Sequence, residues 1–527
     1  MISFTRTLKA GTAFAALALA TPALADTVTL KSSDGTVDLT GEFVAFEENA
    51  YVIRTALGEL RLSAERVSCI GDACPSFESA AAEANLLIKG SDTVGLGIMP
   101  LLLEGYAGYQ DAEATIISTG NKNELLANLV SDGGFGDDMG SLLVTSTTSG
   151  DAFTNLLDET AQIGMASRRI KPEEARALRD AGAGNMISPD QEHIVAVDSI
   201  VVITNPGNPV QRLTMTQLAA IYTGQVTNWS QVGGPDLPIQ VVGRQEDSGT
   251  SAIFYRTIMG EANQWRFAED MIVAEDNNTA AALVNNNEGA IGFVGYAFQR
   301  GAKPLSLVNS CGLTMTPDAF SARTEEYELQ RRLYLYNRAD TMTPEARDLL
   351  DYALSDQADA VIRKAGFIDL GIEAREQSLD GDRARALLDP NADPYEGSVM
   401  REMLGQMVDY DRLSTTFRFR TGSASLDERG RIDMERLADY LEDVPAGSQV
   451  MFVGFTDDVG PFDANRELSR ARAEQVMADM RAYAGSRLNN VDFKAAGYGE
   501  VAPSGCNTSD RGRAINRRVE VWINAPT

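Results

Sequence analysis

Three stretches of this chain place small hydroxyl residues and glycine where an apolar run gives way to a helical pattern. They are Lys89-Gly90-Ser91-Asp92-Thr93, Thr147-Thr148-Ser149-Gly150, and Arg244 through Ser248-Gly249-Thr250-Ser251. The first turn of a helix leaves backbone N–H groups without partners, and the helix dipole is positive there, so such a segment can hold an oxyanion. Glycine lets the backbone approach the ligand. Arg244 adds a forked donor. The plain alternative for each stretch is an N-cap, the usual work of Ser, Thr and Asp at a helix start. Three such stretches with one arginine favour the anion site. A second constellation pairs Asp457, at the end of the run Gly454-Phe455-Thr456-Asp457, with Arg472 fifteen residues on in a helical pattern. A carboxylate beside a guanidinium matches a zwitterion, and the alternative is an ordinary surface ion pair of little energy.

Composition narrows the chemistry further. The chain has 527 residues with 46 Lys plus Arg against 75 Asp plus Glu, a formal charge of −29. That balance argues against nonspecific binding to nucleic acid or an anionic membrane. A single histidine, His193, leaves no material for a His-rich metal site or a Ser-His-Asp triad. The expectation is a binding protein with no enzymatic activity, no cofactor and no metal. Cys69 and Cys74 flank Gly71-Asp72 and are expected to staple a turn. Cys311 and Cys506 lie in different expected domains. Either a bridge or two buried thiols fits them.

The elements that must position these residues divide the chain. Residues 1–25 read as a signal peptide: Arg6 and Lys9, an apolar run from Ala10 to Leu19, and Ala23-Leu24-Ala25 as the cleavage site. Residues 26–80 hold short alternating strands and suggest a small β domain. Residues 81–375 alternate strands and helices, which predicts an α/β domain with a largely parallel sheet, long enough for two lobes. Residues 376–411, broken by Pro390 and Pro394, read as a linker with helical pieces. Residues 412–527 form a compact α/β unit.

Two resemblances attach to these residues. The segment Gly243 to Ser251, the run Ala161-Gln162-Ile163-Gly164-Met165-Ala166-Ser167-Arg168-Arg169, the stretch from Leu213-Thr214 to Thr227-Asn228-Trp229, and Gly289-Ala290-Ile291-Gly292-Phe293-Val294 together resemble the substrate-binding proteins of phosphate ABC importers. The resemblance implies two α/β lobes closing on phosphate or a related oxyanion. Ser91, Thr93, Ser149, Ser167, Arg244, Ser248, Gly249 and Thr250 are the anion-binding candidates, and an ABC importer is the partner. Well-studied members carry an aspartate after the Gly-x-Ser near Ser167, which accepts the proton of HPO4 and rejects sulfate. Here the run is Ala166-Ser167-Arg168, so Asp92 or Asp198 is the substitute to seek. Arg168 either strengthens binding of a more highly charged ligand or pairs with Glu173 or Glu174.

The C-terminal run Gly454-Phe455-Thr456-Asp457, Gly460, Asn465, Leu468-Ser469 and Arg472-Ala473, followed by Gly497-Tyr498-Gly499-Glu500, Gly512-Arg513 and Asn516-Arg517-Arg518-Val519-Glu520, resembles the OmpA-like peptidoglycan-binding domain. The resemblance assigns Asp457 and Arg472 to the diaminopimelate of the stem peptide, with Asn465 and Arg517 in support. Phe455 stands where a histidine or tyrosine is usual. The expected fold class is multidomain α/β and α+β: a small β domain, a two-lobed periplasmic-binding-protein-like α/β domain and an OmpA-like α+β domain. The expected function is periplasmic capture of phosphate or a related oxyanion, held noncovalently on peptidoglycan. The rivals are a structural wall-binding protein whose middle domain no longer binds phosphate, a phosphatase, and an adhesion protein.

Overall fold

A computed structural model describes residues 27–32, 37–47, 50–55, 58–63, 67–71, 73–74, 84–119, 121, 123–244, 248–260, 266–376, 393–419, 426 and 428–526. The signal-peptide reading of residues 1–25 lies outside the described residues. So do Gln245, Glu246, Asp247 and the stretch 377–392 within the expected linker.

The N-terminal unit is a five-stranded antiparallel sheet. Thr27–Lys31 is flanked by Asp38–Glu47 and Ser68–Ile70, and Ala50–Thr55 and Gly58–Ser63 complete it. Alternation puts Val28, Leu30, Tyr51 and Ile53 on one buried face. Cys69 and Cys74 are bonded, with Cα atoms 5.8 Å apart.

The described residues of 84–116 and 123–526 form a separate unit, organised by two crossing strands. The first, Glu192–Thr204, is thirteen residues long and buried almost throughout. Its run Ile-Val-Ala-Val-Asp-Ser-Ile-Val-Val-Ile-Thr is what a strand covered on both faces requires. The segment from Glu192 to Ser199 pairs antiparallel with the second crossing strand, Gln330–Asn337. The segment from Ile200 to Thr204 pairs antiparallel with Ala290–Gly295. One strand therefore serves two lobes.

In the first lobe, Ile163–Ala166 lies antiparallel to the second crossing strand and parallel to Leu86–Ser91, which is itself parallel to Asp138–Thr147. In the second, Gln240–Arg244 is parallel to Ala290–Gly295 and Ile272–Ala274. The sheet is thus mixed rather than largely parallel. Each lobe keeps its parallel strands, but the crossing strands and the pair Glu124–Val130 with Asp138–Thr147 run antiparallel, because a chain that leaves one lobe and returns from the other must reverse. Helices cover both faces.

The C-terminal sheet has five strands, in the order Ala374–Arg375, Asp411–Arg418, Arg518–Asn524, Gln449–Gly454, Asp492–Gly497. Helices Glu428–Glu442 and Phe462–Ala484 cover one face, over Val450, Phe452, Val519 and Val521. Residues 394–407, within the stretch expected to be a linker with helical pieces, form a helix on the other face. Val399, Met400, Met403 and Met407 pack there on Met451, Val453 and Trp522. Pro394 starts this helix rather than breaking it: it sits at the first helical position behind the Asp393 cap, where its missing N–H costs nothing.

Candidate functional site

The anion-site candidates gather where parallel strands end and helices begin, the usual place for a ligand in an α/β sheet. Ser91 ends Leu86–Ser91, Ser167 follows Ile163–Ala166 directly, and Arg244 ends Gln240–Arg244. The capping alternative is met by neighbours. Thr148 forms a capping box with Asp151 (3.3 and 3.2 Å), which leaves Ser149 Oγ for other work. Ser149 Oγ lies 3.1 Å from Ser167 Oγ and accepts Ser167 N–H at 3.0 Å. Ser248 does cap its helix, Gly249–Met259, by accepting Thr250 N–H at 3.3 Å.

Gly249 is where the lobes meet. A Cβ built on it would lie 2.5 Å from Ser167 Oγ, 3.5 Å from Ser149 Oγ and 3.8 Å from Arg331 Nη1. A side chain there would fill the space into which these polar atoms point. Arg331 was not among the sequence candidates. It faces Asp198 across the two crossing strands, and its Nε and Nη2 donate to Asp198 Oδ2 at 3.0 and 2.8 Å. Nη2 also donates to Thr93 Oγ1 at 3.3 Å. The signal for it was the Arg331-Arg332 pair opening an otherwise apolar strand.

Arg244 is buried. Its Nη2 donates to Glu275 O at 3.3 Å and lies 3.5 Å from Asp92 Oδ2. Burial lowers its pKa, against the pull of Asp92, and the charge of Arg331 lowers it further. Among the described residues, Arg244 Nε and Nη1, Arg331 Nη1 and Ser91 Oγ are buried without a hydrogen-bond partner. A buried unsatisfied donor costs about 1–3 kcal/mol, more when charged. An oxyanion accepting these donors recovers that cost.

Contacts thus link Thr93, Ser149, Ser167, Gly249 and Arg244 through Arg331 and Asp92. Ser91, Ser248 and Thr250 adjoin them along the chain. Of the two substitute acceptors, Asp198 is saturated: besides Arg331 it accepts Ser199 N–H and Tyr296 N–H, both at 2.9 Å. Asp92 keeps Oδ2 toward Arg244 while Oδ1 accepts Thr93 N–H at 2.7 Å. Arg168 takes the structural option. It pairs with Glu174 at 2.7 and 2.9 Å and lies over Phe153.

In the C-terminal domain, Asp457 leaves the end of its strand and Arg472 lies inside helix Phe462–Ala484, both buried. The ion pair of Asp457 runs to Arg517, at 2.6 Å. Its main-chain oxygen accepts Asn465 Nδ2–H at 3.3 Å, and Asn465 also donates to Glu500 at 2.5 Å. Arg472 sits over the Phe419 ring at 5.1 Å. Burial pushes its pKa down to about 10, Asp457 acting against the shift and Arg517 with it. Asp457, Asn465, Arg472 and Arg517 therefore share one neighbourhood, with two cations to one carboxylate plus Glu500 at the rim. Phe455 is buried beneath Arg518 at 4.1 Å, a packing position. Close approach explains two glycines here: a Cβ on Gly454 would lie 1.9 Å from Ser469 O, and one on Gly497 2.2 Å from Arg470 N.

Cys311 and Cys506 are bonded, with Cα atoms 5.6 Å apart. Among the described residues no group of three or more His, Cys, Asp or Glu could hold a metal, and no helix is long and apolar enough to cross a membrane.

A family model described as the PBP superfamily domain matches residues 76–357, and a model of the OmpA family matches residues 418–517. Protein SphX of Synechococcus elongatus is 30% identical over 238 residues, which covers 43% of this chain and 68% of that protein. The phosphate-binding protein PstS of Bacillus subtilis is 26% identical over 224 residues, covering 42% and 68%. Among solved structures, an ABC-type phosphate transport receptor from Vibrio cholerae aligns over 54% of this chain and 99% of its own, with 24% identity and a TM-score of 0.39.

Proposed function

We propose, from the premise that this chain belongs to the PBP superfamily and carries an OmpA-family domain behind it, that it captures inorganic phosphate or a related oxyanion while held on the cell wall. The observation that supports capture is the set of buried, unpartnered donors on Arg244, Arg331 and Ser91, drawn from both lobes. Thr93, Ser149, Ser167, Ser248, Gly249 and Thr250 complete the cradle. A related protein named as phosphate-binding supports phosphate as the first anion to try. The C-terminal domain would grip the diaminopimelate of a peptidoglycan stem peptide, Asp457 taking the ammonium and Arg472 the carboxylate, with Asn465 and Arg517 fixing Asp457. A chain held in this way would work in the periplasm after export, where an ABC importer would receive the anion.

The test is calorimetric titration of phosphate, then sulfate, into protein unfolded and refolded to strip bound anion. Micromolar or tighter phosphate binding supports the receptor. No heat from a folded sample leaves the second reading, a wall-binding protein with a scaffold in its middle. That reading is favoured by one observation: Ser167, not a carboxylate, stands where an acceptor for the phosphate proton is expected. In pull-downs with purified sacculi, Asp457→Ala is expected to abolish wall retention and leave phosphate affinity unchanged. Retention equal to that of the unaltered protein would refute the clamp.

A further inference from the structure

The C-terminal domain is fastened to both lobes. On the second lobe, Cys506 is bonded to Cys311. Arg511 Nη1 donates to Thr257 Oγ1 at 3.4 Å, on the helix Gly249–Met259 whose first turn borders the anion site. On the first lobe, Arg436 Nη1 meets Asp359 Oδ2 at 3.1 Å and Nη2 donates to Leu354 O at 3.4 Å. One turn earlier on the same helix, Ile432 packs on the cluster of Phe153, Ala166, Ile170 and Tyr336, behind the strand that presents Ser167. Between these attachments, just before the second crossing strand, Arg412 grips Glu326 at 3.0 and 2.8 Å, and Ser504 Oγ donates to Glu326 Oε1 at 2.7 Å.

Most anion-site side chains, drawn from both lobes, are almost wholly buried, Ser91, Thr93, Ser167 and Thr250 at 1% exposure and Arg244 at 3%. An anion reaches them only if the lobes part. With Cys311–Cys506 intact, parting must either strip Arg436 and Ile432 from the first lobe or pull Arg511 and Glu326 from their partners. The Arg436–Asp359 attachment is the breakable one. It is one ion pair and one long hydrogen bond, to Leu354 O, with the packing of Ile432 behind them, and separation returns both charges to water, which offsets much of the lost attraction.

We infer that the C-terminal domain is a clasp across the two lobes, fixed to the second by Cys311–Cys506 and released from the first at Arg436–Asp359, so that anion exchange and engagement of the C-terminal domain are thermodynamically linked. The linkage is reciprocal: whatever holds the domain off the first lobe favours the parted lobes, and a bound anion favours the clasped state. The identity of the anion rests on the reading above. The clasp itself concerns only the lobes.

The experiment uses the full chain with nitroxide labels at Glu173→Cys on the first lobe and Thr216→Cys on the second, both exposed positions, and reads the interlobe distance by pulsed electron spin resonance without anion. The unaltered interface is expected to give one narrow distance. Arg436→Ala, alone and with Ile432→Ala, is expected to add a longer, broader population that inorganic phosphate suppresses. The same variants should release phosphate about fivefold or more faster, the factor that corresponds to losing about 1 kcal/mol. Identical distance distributions with and without the substitutions, in samples of unchanged circular dichroism, would overturn the clasp. If the unaltered protein binds no phosphate, the receptor reading fails while the distances without anion still decide the clasp.

Discussion

Arg331 and Arg244 are the two guanidinium groups of the proposed anion site, and their surroundings predict different variants. Arg244 touches its carboxylate only at 3.5 Å, so Arg244→Ala is expected to weaken anion binding with little loss of fold. Loss of a charge-assisted donor costs about 1.5–3 kcal/mol, roughly ten- to a hundredfold in Kd, and calorimetry reads it directly. Arg331→Ala should weaken binding as well, but it strips the counter-charge from Asp198, whose side chain is fully buried. It should therefore also lower the unfolding midpoint, which a thermal melt separates from the binding defect. His193 offers a cleaner titration, being the only histidine in the sequence. Its ring is buried, with Nε2 2.7 Å from Asn337 Oδ1, and burial lowers its pKa. Below about pH 6.5 the unfolded chain takes up a proton that the folded chain resists, so stability falls as pH falls through that range. The Tm of His193→Gln should drop less than that of the unaltered protein between pH 7.5 and 5.5. Parallel curves would show that His193 carries none of the acid sensitivity.

At the level of elements, the strand and helix pattern was legible wherever one face or both faces were buried. The apolar run Ile194–Thr204 announced the first crossing strand, and Ala290–Val294 its neighbour. The direction of pairing was not legible, since an apolar run reads the same parallel or antiparallel. The helix Pro394–Met407 was legible only as a helical piece of a linker: Pro394 and the polar residues before it look like a break, and only the spacing of Val399, Met400, Met403 and Met407 marks a buried stripe. Met403 is fully buried against the C-terminal sheet, so Met403→Ala should cost about 2–5 kcal/mol. A denaturant melt showing no change would mean that the helix is an appendage of the domain. Arg331 was hidden because its role depends on register. Opposite Asp198 it reaches the site, and one residue's shift would have turned it to the other face.

For the whole molecule, the order of the parts could be read from sequence, because each resemblance rests on motifs that stay close together along the chain. The joint between the two-lobed domain and the C-terminal domain could not. Arg412 with Glu326, and Arg436 with Asp359, are separated by 86 and 77 residues, and nothing local marks such partners. Arg412 also lies 3.4 Å from Glu520, which is fully buried beside Arg518, so the joint runs on into the core of the C-terminal domain. Arg412→Ala should therefore loosen the joint and leave Glu326 without its guanidinium. Faster amide hydrogen exchange in both Asp411–Arg418 and the loop 324–329 is the expected outcome. Change confined to one side would mean that the two domains are not cooperative across this contact.

The bond between Cys311 and Cys506 closes a ring of sequence with a separation of 195 residues, and the whole of residues 376–411 lies inside that ring. A protease that cuts the backbone anywhere between the two cysteines leaves a single covalent molecule. The two-lobed domain cannot be separated from the C-terminal domain by clipping the connection, as a protein joined only through its backbone could be. On a gel the nicked protein should run as one species until it is reduced, and only then as two.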